Sequence, residues 1–222
     1  VLSPAGVQEF LDLGLHGFAM SRFSGCWTGF KCVTMTVDSS ASVYVDPHRV
    51  EIIVPDKFEV PVGGLNIRWP DVQLEQEVRL HNYKLLAAQS YVKTNRLDRV
   101  VLGNNEARLG IVAAGKSYLD VRQAFADLEL DESDLVRLGV RLYKPSLVWP
   151  LEPEGLTNFA RGLDEIIVVE EKRGLIEQQI REILYGVSNA PTIVGKRTEN
   201  GENLFPAHGR LEAMDIALSI GE

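Results

Sequence analysis

Between Ala107 and Arg197 the chain repeats one pattern: a short apolar run, a stretch with helical spacing of its apolar residues, then another apolar run. Leu109-Gly110-Ile111-Val112-Ala113-Ala114 has no polar alternation, as expected of a parallel strand covered on both faces, and it stops at Gly115. Ser117, with Asp120 three residues on, reads as a helix N-cap. Val121, Ala124, Phe125 and Leu128 then fall at i, i+3, i+4, i+7 and make one apolar stripe, in a helical segment closed by Gly139. Val140 to Val148 reads as a second strand, and Trp149-Pro150-Leu151-Glu152-Pro153 as a rigid turn into a helix over 154–161. Ile166-Ile167-Val168-Val169 is a buried strand running into Glu170-Glu171. A helix over 173–185 follows, with Ile176, Ile180, Ile183 and Leu184 on one face and Glu177, Gln178, Arg181 and Glu182 in water. Thr192-Ile193-Val194 supplies a fourth strand. Strands joined by helical crossovers run parallel, so the expected fold is α/β: an open, twisted, mostly parallel sheet with helices on both faces.

Gly110 to Ser117 matches the phosphate-binding pattern G-x-x-x-x-G-K-[ST] letter for letter, and Ile166 to Glu171 passes for the acidic strand of such nucleotide hydrolases. That loop works by leaving the strand and curling its N–H groups around a phosphate, whereas β-branched Ile111-Val112 continues the strand. The motif reduces to Gly115, Lys116 and Ser117 as candidate anion-binding residues at a strand-to-helix turn, with helix capping the simpler role. A nucleotide-binding protein acting through Gly110–Ser117 stands as an alternative. Glu170 and Glu171 read as helix caps or arginine partners rather than an acid–base pair.

Before this region, Ser3 as N-cap and Pro4 at the first helical position predict a helix over 3–22, where Gly14 and Gly17 admit a close neighbour. Phe30 to Val37 reads as a strand, and Asp38 and Ser39 at its carboxyl end are candidate cofactor-binding residues, since α/β proteins place ligands at strand carboxyl ends. A turn capped by its own side chains is the simpler reading. Residues 43–70 are a connector with a strand over 50–54, frequent breaks, and Trp69 pinning it to a domain surface. The longest helix is expected over 71–96, with Leu74, Val78, His81, Leu85, Ala88 and Val92 as its stripe and His81 as a packing residue. After Arg197, Asn200-Gly201 signals a hairpin, followed by a last helix over 212–219.

The 222 residues carry a formal net charge of -8, and no cluster of Lys and Arg argues for a nucleic-acid partner. No apolar run approaches the roughly 20 residues of a membrane helix, and no signal segment is recognisable. Cys26 and Cys32 are the only cysteines, too few for an iron–sulfur or zinc site, and two buried thiols suit a reducing cytoplasm. His16, His48, His81 and His208 are isolated, so no catalytic or metal-ligating residue is named. A start at Val1-Leu2-Ser3-Pro4 reads as the end of a strand feeding a helix, and predicts a piece of a longer chain.

Ser21-Arg22-Phe23-Ser24-Gly25-Cys26-Trp27-Thr28-Gly29-Phe30-Lys31, Gly63-Gly64-Leu65-Asn66-Ile67-Arg68-Trp69-Pro70-Asp71, Gly115 to Gln123 and Trp149 to Gly155 together resemble the central region of indolepyruvate ferredoxin oxidoreductase, in its large fused bacterial form. The part after Ala107 resembles a transketolase C-terminal domain. The resemblance implies residues 1–45 as the tail of a pyrimidine-binding domain, 46–106 as a connector with a long helix, 107–197 as the transketolase C-terminal-like domain and 198–222 as a tail packing on it or on a neighbour. It implies a full-length enzyme that uses thiamine diphosphate, magnesium and iron–sulfur clusters to oxidise aryl 2-oxoacids, with coenzyme A and ferredoxin as partners and a homo-oligomeric assembly. This piece has neither the Gly-Asp-Gly motif nor the cysteine sets of that family. It is therefore expected to hold no cofactor and to be a structural part, inactive alone, that contacts the remaining domains. A free-standing α/β interaction module is the other alternative.

Overall fold

The computed structural model describes residues 1–69 and 71–221; Pro70, one of the expected breaks, lies outside them. Helix α1 is Val7–Ser24 with Gly6 as N-cap, not a helix from Ser3. The residues ahead of it are used differently. Leu2 is fully buried and bridges both Phe30 and Leu147, while the Ser3 N–H donates to the Ser146 carbonyl, so Ser3 is spent in an extended pairing. Gly17 meets the Phe30 ring and Thr28 at the 3.3 Å that any added Cβ would have to share, whereas Gly14 has open space.

The strand expected over 30–37 is replaced by α2 (Thr34–Val37). Only the bridge at Phe30 pairs; beyond it no edge is at hand, and Thr36 N–H, Thr36 Oγ1 and Val37 N–H all turn back to the Val33 carbonyl. Residues 50–54 form no strand either. Ile53 instead exchanges backbone hydrogen bonds with the Asn95 side-chain amide at 2.8 and 2.7 Å.

The long helix is α3 (Gln73–Arg79), a π-helical turn (Leu80–Lys84) and α4 (Leu85–Thr94). The wider turn shifts the helical phase, so the predicted stripe breaks there. Leu74, Val78 and His81 are exposed. Ala88 and Val92, joined by Tyr91, pack with Leu2, Leu13, Met20 and Leu147. His81 is thus a surface residue. Trp69 is 97% exposed and pins nothing, and Cys26 is half-buried and Cys32 exposed rather than both buried.

The sheet begins earlier than the pattern suggested, with β1 (Arg99–Leu102). Then follow β2 (Leu109–Ala113), α5 (Gly115–Asp127), α6 (Glu132–Arg137), β3 (Val140–Lys144), α7 (Pro153–Ala160), β4 (Glu165–Val169), α8 (Ile176–Leu184), β5 (Thr192–Val194) and α9 (Ala213–Gly221). Strand order is β1-β3-β2-β4-β5, parallel throughout except for β1 against β3. The helical segment after β2 is two helices: Asp131 opens α6 with a reciprocal capping box to Asp134, and Gly139 closes that second helix.

Successive strand residues alternate between the two faces. Ile111, Ala113, Leu142 and Ile167 face α5 and α9, where they meet Val121, Ala124, Phe125 and Ile216. Val112, Tyr143, Ile166 and Val168 face α7 and α8, where they meet Leu156, Phe159, Ile176 and Ile180. After a bridge from Arg197 to Asn203, the tail returns Phe205 and Leu211 to the α5 side of the core.

Candidate functional site

After β2 the chain leaves toward the α5 face; after β4 it leaves toward the α8 face, although the two strands are neighbours. In open α/β sheets such a point at the carboxyl edge opens the crevice where ligands bind. Gly115, Lys116 and Ser117 lie on one side of it and Glu170 and Glu171 on the other.

Only Ala114 separates β2 from α5, and it is the N-cap, with extended backbone and no side-chain cap. Ser117 is inside the helix and buried, not the cap. Gly115 has φ +54, and a Cβ there would stand 2.4 Å from Ser3 Oγ, so both backbone and space demand glycine. The phosphate-loop alternative is overturned here. Gly110 to Ala113 are strand, Gly110 is packed against Leu163 and Phe159, and the residues between the two glycines have no slack with which to encircle a phosphate.

Lys116 is turned inward. Its Nζ donates to Asp120 at 2.6 Å and to the Leu211 carbonyl at 2.8 Å, and lies 3.5 Å from Glu171. Glu171 also accepts from the Leu211 N–H at 3.1 Å. Burial acts to raise the Glu171 carboxyl, but that N–H and the Lys116 ammonium prevail and hold it below its ordinary value. Asp120 goes the other way, raised by burial in spite of Lys116.

Glu170 caps α8, accepting from the N–H groups of Leu175, Ile176 and Glu177 at 2.9–3.0 Å. Glu177, expected in water, is buried. It accepts from the Lys196 N–H at 2.9 Å and pairs with Arg181 at 3.0 Å, because the chain leaving β5 folds over it. Lys196 Nζ donates to the carbonyls of Glu170 and Pro206; burial lowers its pKa, opposed by Glu170 and Glu177.

At the end of β3, Lys144 is buried, paired with Glu9 of α1 and set 4.9 Å from the Tyr118 ring centroid. Burial lowers its pKa, and Glu9 offsets part of that. Asp98, just before β1, accepts from the Ser146 and Leu147 N–H groups at 2.7 and 3.0 Å, while its Oδ2 and the nearby Tyr143 hydroxyl are buried without partners. Burial pushes the Asp98 carboxyl up to about 7.

The carboxyl edge of the sheet is therefore occupied by the protein's own charges, which tie the first residues, the sheet edge and the tail together. Lys144, Lys196, Glu9 and Asp98 were not legible as part of it, since their partners are distant in the chain and no local spacing marks them. Asp38 and Ser39 stand elsewhere. With no strand over 30–37, Asp38 is the exposed C-cap of α2, and the exposed Ser39 donates its hydroxyl to the Thr36 carbonyl at 2.7 Å.

Comparisons with known proteins bear on this arrangement. The chain is 32% identical over 183 residues to the indolepyruvate oxidoreductase subunit IorA of Pyrococcus horikoshii, covering 82% of this chain and 27% of that protein. With the subunit IorA of Pyrococcus abyssi it is 25% identical over 183 residues, again covering 82% and 27%. The chain thus spans about a quarter of the length of the curated relatives it matches. Among solved structures, a split-gene transketolase described as an inactive beta4 tetramer aligns with 56% of this chain and 40% of its own, at 21% identity and TM-score 0.39. The 2-oxoglutarate:ferredoxin oxidoreductase of Magnetococcus marinus, with 2-oxoglutarate, coenzyme A and succinyl-CoA bound, aligns with 81% and 28%, at 18% identity and TM-score 0.43. The decisive match is that of a family model, which covers residues 99–222, from β1 to the last residue. This chain belongs to the indolepyruvate oxidoreductase domain family.

Proposed function

We propose that the protein is part of a 2-oxoacid:ferredoxin oxidoreductase acting on aryl 2-oxoacids such as indolepyruvate, and that residues 1–222 serve it as a structural, organising part that does not turn over substrate alone. The overall reaction converts a 2-oxoacid and coenzyme A to acyl-CoA and carbon dioxide, with two electrons passing to ferredoxin. The family match over residues 99–222 supports the reaction class. The observation that carries the structural role is the crevice itself, whose Lys116, Glu171 and Lys196 are spent on Asp120 and on the backbone of Glu170, Pro206 and Leu211.

The chain's donors do not fit the metal groups of such an enzyme. A thiolate cluster needs about four cysteines and the chain has two. Among the described residues, no three His, Cys, Asp or Glu side chains come together to hold a metal ion. Thiamine diphosphate, magnesium and the clusters are assigned, in this proposal, to the rest of the enzyme. The division into 1–45, 46–106, 107–197 and 198–222 is proposed with it, as are contacts with the remaining domains and a homo-oligomeric, cytoplasmic assembly. No helix is long and apolar enough to cross a membrane among the described residues.

An anion reaches Gly115, Lys116 and Ser117, in this reading, only by displacing Leu211 and Glu171. The exposed Asp38 and Ser39 are free to face the cofactor-bearing remainder. Loss of thiamine diphosphate affinity on Asp38→Ala in the complete enzyme supports that contact, and unchanged affinity removes it. The reaction class is tested by coenzyme A-dependent reduction of a viologen dye by the complete enzyme. Faster reduction with indolepyruvate than with pyruvate is expected; no reduction with any aryl 2-oxoacid overturns the assignment.

A further inference from the structure

A cavity of about 790 Å³ lies away from the sheet, between the end of α1, the loop before α3, and the α3 helix with its π-turn. In a chain of net charge -8, its walls carry Arg22, Arg68, Arg79 and Lys84 against one carboxylate, Asp71. Asp71 is shared by Arg68 at 3.1 Å and Arg79 at 3.7 Å. Arg79 is further fixed by the Gly64 carbonyl at 2.6 Å and the Val62 carbonyl at 3.4 Å, and its buried Nε faces Asp71 at 3.7 Å, beyond hydrogen-bond reach. Lys84 donates to the Gly25 carbonyl at 3.2 Å, which leaves its other two N–H bonds free to point elsewhere. Arg22 is exposed and is in neither of the cavity's ion pairs.

The surplus is thus positive, concave and partly preorganised, the setting in which a protein field concentrates small anions. Guanidinium forks match the geometry of phosphate and carboxylate, and the volume falls within the roughly 300–1,000 Å³ of small-molecule sites. Trp27 and Ile67, 101% and 80% exposed, add an apolar wall left uncovered among the described residues. We infer that this cavity binds a small multivalent oxyanion, a phosphate- or carboxylate-bearing molecule, held by Arg22 and Lys84 with Arg79 behind them and its body against Trp27.

The test is calorimetric titration of the full chain with inorganic pyrophosphate and, separately, with citrate. Saturable binding is expected for at least one, weakened about tenfold or more by Arg22→Gln with Lys84→Gln, and unchanged by Arg122→Gln on α5. Far-UV circular dichroism and melting of the double variant verify that it folds. Binding of pyrophosphate alone assigns a phosphate source, and of citrate alone a carboxylate source; either supports the site. No binding of either anion, or equal affinity in the double variant, overturns it. A hexaglutamate peptide that binds where both small anions fail also overturns it, in favour of an acidic protein partner.

Discussion

Asp98 shows how one buried carboxyl can govern a junction. It joins the end of the long helix to the turn after β3 through the N–H groups of Ser146 and Leu147. Burial chiefly raises its pKa, to about 7; those two hydrogen bonds and Lys144 act to lower it, and Glu152 adds to the rise. A pKa above that of the unfolded chain means the folded state favours the proton. The resulting stability is fully present below about pH 4 and is lost as pH rises through about 7. Wild type should therefore lose stability relative to Asp98→Asn between these limits, which paired thermal melts at a series of pH values measure; a difference that stays flat would place the carboxylate in a solvated setting. Gly110 is constrained by space. A Cβ there would meet Leu163 at 2.5 Å and Phe159 at 2.8 Å, so Gly110→Ala should cost about 1–3 kcal/mol by overpacking in urea unfolding.

The elements that were legible in the sequence are those whose reasons are local. The strands at Leu109 and Ile166 are runs of buried apolar residues, and α8 keeps Ile176, Ile180 and Leu184 on one buried face. Where a distant partner decides, local signals misled. Ser3-Pro4 carries a good helix start, but Ser146 takes the Ser3 N–H for an extended pairing. The run at 30–37 has strand-like residues with no edge to pair against, and β1 was hidden because its pairing with β3 is antiparallel and long-range. Glu177 looked solvated until the chain beyond β5 covered it. Of the candidate site, the placing of Gly115–Ser117 at a strand-to-helix turn and the capping role of Glu170 could be read in advance; the closure by Leu211 and Lys196 could not. Glu170→Ala should leave the N–H groups of Leu175, Ile176 and Glu177 uncapped and cost about 1–2 kcal/mol, with faster amide exchange confined to the start of α8. Lys116→Ala should cost about 1–3 kcal/mol, since Asp120 and Glu171 lose their partner, while magnesium-ATP should leave the melting temperature of the wild type unmoved.

Across the whole molecule, the first residues and Leu211 of the tail converge on the carboxyl edge of the sheet. Val1 and Ser3 pair with the turn after β3, Glu9 holds Lys144, and Leu211 is locked to Lys116 and Glu171. Charges at this edge fasten its segments to one another, as the proposed organising role requires. The decisive measurement is the rate of viologen reduction dependent on indolepyruvate and coenzyme A, made on the complete enzyme loaded with its cofactors and on residues 1–222 alone. Turnover by the complete enzyme, and none by a 1–222 chain that melts cooperatively, is expected. Turnover by residues 1–222 alone, or a loaded complete enzyme inert toward 2-oxoacids, would contradict it.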